Sequence, residues 1–174
     1  PHSNLDGWLF SYRVQTPGIG QGLEQTYRVN RKNEYQPDVM MFILPEHGVR
    51  TRFTKKSYVQ GIPELIAEVA YTTASSDLNQ KFKAYQRRGV NEYIVWRVED
   101  ECIDWVRNVD GKFQPMVPDT EGVIKSVVFP GLWLDTKEMS NGDMQMVLKV
   151  LNLGLQSPEH AAFVQRLTEQ RKSQ

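Results

Sequence analysis

The chain has little of several things. It holds one cysteine, three histidines and no net charge, since Lys+Arg and Asp+Glu each number 21. A single cysteine permits no internal disulfide, so a reducing cytoplasm is the expected setting. Cys102, beside Ile103, reads as a small buried hydrophobe rather than a nucleophile. His2, His47 and His160 are too scattered for a zinc-ligand spacing, and His47 reads as a loop residue. No apolar run reaches the length of a membrane span, and no basic-then-apolar leader points to export. Zero net charge argues against coating nucleic acid non-specifically, which needs a basic excess, but it leaves room for a local basic cleft. There is no nucleophile elbow, and no Ser/His/Asp set stands out. There is also no internal repeat or low-complexity segment.

What remains is ordinary globular material, 40% hydrophobic and 24% charged over 174 residues. That is enough for one well-buried domain and thin for two. Gly7 to Val14 has β-type composition. Pro17 to Gly22, with glycines at 18, 20 and 22, superficially resembles a phosphate loop. No helix opens after it, so a turn is expected, followed by a short strand near Gln25 to Asn30.

Asp38 to Leu44 and Leu65 to Ala70 read as strands buried on both faces. Between them, Pro45 to Gln60 carries Glu46, His47, Arg50, Arg52, Lys55 and Lys56 and is expected to be an exposed loop or short helix. Ser75 or Ser76 opens a helix running to about Arg88, which Gly89 ends. Glu92 to Val98 and Cys102 to Val109 suggest a hairpin around the acidic joint 99–101, and Lys112 to Val117 with Val123 to Val128 suggest another pair. Phe129 to Asp135 forms an apolar corner. Two helices close the chain, about Gly142 to Leu155 and Pro158 to Lys172, the second opened by Ser157, Pro158 and Glu159.

Chemistry concentrates in three places. Gln36-Pro37-Asp38 opens one apolar strand, Glu68 lies near the end of the next, and Asp77, Lys81 and Tyr85 follow on the helix. A carboxylate in a sheet core is costly unless it is paired, hydrogen-bonded or bound to a cation. Successive steps of four residues advance only about 40° around a helix, so Asp77, Lys81, Tyr85 and Arg88 share one side of it, with Leu78 and Phe82 bordering. Each residue also has a bland reading. Asp77 and Lys81 could be a surface pair worth a few tenths of a kcal/mol. Asp38 could cap a turn, and Glu68 could pair with Arg52 or Lys55. Taken together, two acids on neighbouring strands with a lysine on the adjoining helix also read as a metal site suited to phosphodiester cleavage. Lys83, Arg87 and Arg88 could then contact a DNA backbone, or simply form a solvated charged face.

The ordered set Gln36-Pro37-Asp38, Glu64 to Val69, Asp77–Lys81–Tyr85, Gly89 to Val95 and Phe129-Pro130-Gly131-Leu132 resembles the Uma-two family. Its members are described as restriction-endonuclease-like nucleases of the PD-(D/E)XK superfamily. The resemblance covers about 36–135 well and continues loosely through Pro158 to Phe163.

It implies an α/β (α+β) fold in which helices flank a mixed central sheet, as a single domain over 1–174 with its core at about 25–135 and C-terminal helices at about 142–172. It implies a metal-dependent endonuclease acting on DNA, with Asp38, Glu68 and Lys81 as catalytic residues. Asp38, Glu68 and the backbone carbonyl of Val69 would hold Mg²⁺ or Mn²⁺, with Asp77 and Tyr85 in support, and such nucleases cut two strands as homodimers. The apolar corner from Phe129 to Leu134, with Trp8 or Trp105, is a candidate dimer surface.

The sequence departs from the family pattern in three ways. Ala70 stands where the superfamily has lysine, Trp96 follows a strand after which an aspartate is common, and no leading helix is evident before Trp8. These departures keep open a second reading, a non-catalytic module of the same fold that binds nucleic acid or a protein partner. An unrelated small α+β scaffold is a third.

Overall fold

A computed structural model describes residues 1–23, 27–28, 34–47, 51–53, 59–71 and 76–172. In chain order it runs α1 (His2–Gln15), β1 (Ile19–Leu23), β2 (Tyr27–Arg28), β3 (Glu34–Tyr35), β4 (Val39–Ile43), a 3-10 turn (Pro45–His47), β5 (Thr51–Phe53), β6 (Val59–Gly61) and β7 (Leu65–Ala70). It continues with α2 (Ser76–Arg88), β8 (Glu92–Arg97), β9 (Cys102–Val109), β10 (Lys112–Pro115), β11 (Val123–Lys125), β12 (Trp133–Asp135), α3 (Thr136–Asn141), α4 (Met144–Leu155) and α5 (Pro158–Lys172).

The main sheet has six strands in the order β1-β4-β7-β8-β9-β10. Only β7 and β8 run parallel, because α2 carries the chain across between them; the other pairs are antiparallel. The expected mixed sheet flanked by helices is what the chain builds.

Residues alternate between its two faces. Val39, Met41, Leu65, Ala67, Ile94, Trp96, Ile103 and Trp105 pack toward α1, α4 and α5. Met40, Phe42, Ile66, Tyr93 and Val95 pack toward α2, against Tyr85, Leu78 and Phe82. Apolar residues on both faces explain the uninterrupted hydrophobic runs of β4, β7 and β8.

Several expectations are corrected. Gly7 to Val14 is helical: Leu5, Trp8, Leu9 and Tyr12 are all buried, a 3-1-3 spacing that makes one helical stripe. The aromatic run that suggested a strand is that stripe seen through too short a window. Trp8 donates to the Trp133 carbonyl at 3.1 Å and Tyr12 to that of Pro130 at 2.9 Å, which ties α1 across the sheet. The stretch from 19 to 23 is strand β1 rather than a turn. Gly20 is needed there for closeness, since a Cβ would lie 2.2 Å from the Phe42 ring.

Lys112 to Val117 and Val123 to Val128 do not pair with each other. The first supplies β10, on β9, and the second supplies β11, on β12 within the apolar corner. Pro45 to Gln60 contains two short strands, and His47 is buried, its Nδ1 2.7 Å from the Leu167 carbonyl. The helix expected from about Gly142 begins at Met144, capped by Asp143, and the unforeseen α3 precedes it.

Trp8 and Trp105 are buried edge-to-face against each other, and Phe129, Leu132 and Leu134 are fully buried. The apolar surface suggested for dimerisation is therefore used inside the chain's own core. Cys102 is half-buried. Among the described residues no helix is long and apolar enough to cross a membrane. Ser75, the side chains of Arg50, Arg52, Lys55 and Lys56, and most of the segment from Gln25 to Asn30 lie outside the described residues.

Candidate active site

The antiparallel register of β4 on β7 pairs Val39 with Ala67, so one step outward Asp38 stands opposite Glu68. Alternation directs Glu68, like Ile66, to the α2 face. There it is almost fully buried, and α2 meets it with two side chains one turn apart. The Lys81 ammonium donates to Oε2 at 3.0 Å and the Tyr85 hydroxyl to Oε1 at 3.1 Å. The spacing of four residues that reads as a surface pair with Asp77 thus points Lys81 at an acid on the sheet. Tyr85 packs its ring in the core and holds that acid directly. The side chain of Asp77 lies outside the described residues, as do Arg52 and Lys55, the alternative partners for Glu68.

Burial pushes the Glu68 carboxyl up to about 7, and the charge of Asp38 adds to the rise. Lys81 and the Tyr85 hydroxyl pull the other way and limit it. The group is therefore poised near its titration point at neutral pH.

Asp38 opens instead onto a cleft of about 330 Å³ lined by α1, β1, β4 and Val69. Its Oδ2 accepts the Val69 N–H at 2.7 Å and lies 3.3 Å from His2 Nε2. Asp6, one turn after His2, lines the same cleft, and its Oδ1 accepts from Gln21 Nε2 at 2.7 Å. His2 and Asp6 were missed in the sequence because the helix carrying them was missed. The i,i+4 spacing of two polar groups beside the Leu5–Trp8–Leu9 stripe was the available signal.

Ala70 shares the α2 face with Glu68 and is packed, partly buried, among apolar residues. Lys81 brings an ammonium to that face from the helix. Trp96 faces the opposite core, and Arg97 pairs with Asp100 and Asp104 at the surface. Among the described residues, the end of β8 therefore brings no acid to the site.

The model of the Uma2 family, described as "Putative restriction endonuclease", matches residues 1–137. The chain belongs to this family. A mixed six-stranded sheet flanked by helices accompanies this match, and the family description supports a nuclease-like function. The Uma2 match takes in α1, with His2 and Asp6, and stops before α4 and α5. Among solved structures, the chain is similar to one described as a putative nuclease belonging to DUF820 from Anabaena variabilis ATCC 29413, with 13% identity and a TM-score of 0.49 over 69% of this chain and 72% of that one. No curated protein matches the sequence.

Proposed function

We infer that this Uma2 protein is a divalent-metal-dependent endonuclease that hydrolyses DNA phosphodiester bonds. One observation carries the reading: Asp38 and Glu68 lie at neighbouring positions on adjacent strands, close enough for the charge of Asp38 to act on Glu68, and the Lys81 ammonium lies 3.0 Å from the buried acid. We take the 174 residues as one folding unit and the cytoplasm as its setting.

The donor chemistry fits a hard divalent ion, because carboxylate and carbonyl oxygens are the ligands Mg²⁺ and Mn²⁺ prefer. Asp38, Glu68 and the Val69 carbonyl would hold it. Among the described residues no three His, Cys, Asp or Glu side chains already converge as a ligand set. Glu68 would therefore exchange one of its present hydrogen bonds for the ion. Once bound, such an ion polarises a scissile phosphate and acidifies water.

The remaining roles belong to the chain itself. Lys81 supplies a positioned cation for the charge that develops on the phosphate. Tyr85 fixes the Glu68 rotamer through Oε1, and Asp77, one turn before Lys81, steadies the ammonium. His2 holds Asp38 from the other side of the cleft. A homodimer, expected where both strands of a duplex are cut, stays part of this proposal.

A non-catalytic module is the second reading. Two observations favour it: Ala70 stands at the usual lysine position, and burial raises the Glu68 carboxyl toward neutrality.

The test is incubation with supercoiled plasmid and with single-stranded DNA, in Mg²⁺, Mn²⁺ or EDTA, beside Glu68→Ala. Metal-dependent nicking that the variant lacks supports the nuclease. DNA binding without cleavage under any condition would move the assignment to the module.

A further inference from the structure

The cleft beside Asp38 is walled mainly by Leu5, Leu23, Val39 and Val69, and no lysine or arginine lines it among the described residues. A groove that holds duplex DNA by its phosphates needs a basic stripe. The described walls are apolar beside the acids, so contacts to a base rather than to phosphates would supply the binding here, and only an unpaired base can offer its faces. Two large apolar side chains also stay exposed near it. Leu23 lines the cleft and is 50% exposed, and Tyr71, just past the end of β7, is 53% exposed. The Tyr71 ring centroid lies 6.0 Å from that of His2, tilted by 35°, so an aromatic face stands on the rim two residues beyond Val69.

Exposed aromatic rings stack nucleobases with little regard to sequence, since every base presents a π-face. At about 330 Å³ the cleft is near the small end of ligand pockets, roughly 300–1,000 Å³. A planar base fits such a volume and a duplex does not. An unpaired base can enter without first being unstacked and unpaired, whereas a duplex base must be flipped out at a cost of a few kcal/mol.

We propose that the substrate is single-stranded DNA, with one base seated in the cleft and stacked on Tyr71. The proposal rests on the nuclease reading of this site and names the substrate class that reading leaves open. A single strand also needs only one active site, so this substrate does not require a dimer.

Binding in EDTA tests the base pocket without involving cleavage. The probe is a single-stranded oligonucleotide carrying one 2-aminopurine, compared with a blunt hairpin duplex of the same length. The single strand is expected to bind at least tenfold more tightly than the duplex, with 2-aminopurine emission quenched by stacking. Tyr71→Ala should weaken single-strand binding about tenfold and restore the emission, while Tyr71→Phe retains both. Tyr71 is exposed, so an unchanged melting temperature shows that the variant is folded. Leu23→Asp, which puts a charge on the cleft wall, should weaken binding similarly. Equal or tighter binding of the duplex, or affinity and emission indifferent to Tyr71→Ala, would overturn the base pocket. Neither result bears on whether Glu68 supports cleavage, so the two readings fail separately.

Discussion

Glu92 and Glu68 stand on adjacent parallel strands at opposite ends of their pairing, Glu92 level with Leu65 and Glu68 level with Val95. Both are almost fully buried, and burial raises both carboxyls. Their surroundings differ. Glu92 accepts the Val127 and Val128 N–H groups on Oε1 and the Ser126 hydroxyl and Trp105 indole N–H on Oε2. Four neutral donors occupy both oxygens, and the carboxylate holds the 126–128 segment to the sheet. Glu68 has one donor per oxygen among the described residues, one of them a lysine, and it lies across from an acid that opens on a cleft. A carboxylate saturated by fixed neutral donors is a structural anchor. One with spare lone pairs and a single donor on each oxygen can take a new ligand.

The sharpest contrast comes from truncation. Glu92→Ala orphans four donors, each costing about 1–3 kcal/mol when buried unpaired, which together rivals the whole stability of a domain. The variant should fail to fold, as circular dichroism and urea titration would record. Glu68→Ala orphans only two donors, one of them a lysine ammonium, and it should fold with a loss of about 1–2 kcal/mol. If the two variants were equally damaging, Glu68 would be an anchor too.

Dependence on pH sharpens the same comparison. The Glu68 carboxyl rises from 4.5 to about 7 on folding, so the folded state binds its proton more tightly than the unfolded state. Its contribution is fully present below about pH 4.5 and is lost as pH rises through about 7, a change on the order of 3 kcal/mol. In EDTA, the difference in unfolding free energy between wild type and Glu68→Gln should follow this slope. A difference independent of pH would remove Glu68 as the poised group. Lys81→Met, which removes the largest force holding that value down, should move the end of the slope to higher pH. The smallest effect belongs to Tyr85→Phe. Losing one hydroxyl donor should cost about 1 kcal/mol, read in the same denaturation, with the ring's packing intact.

The sequence made the centre of this picture legible and its periphery less so. β4, β7, α2 and β8 could be read because continuous apolar runs and a capped helix leave few alternatives. Asp38, Glu68 and Lys81 stood out because acids at the edges of such runs need partners. α1 was hidden by aromatic residues whose local composition favours strands, although their wider spacing is helical. With α1 went His2, Asp6 and one wall of the cleft. β11 and β12 were misjudged because three-residue strands follow from tertiary pairing and leave no period to read. Glu92 looked like one charge in a strand, since its four donors come from segments 13 to 36 residues away.

Calorimetric titration of the metal-free protein with Mn²⁺ at neutral pH tests the central claim most directly. The account predicts one ion per chain, with affinity falling at least tenfold in both Asp38→Ala and Glu68→Ala. Binding that neither substitution weakens, or no binding by the folded wild-type chain, would contradict it.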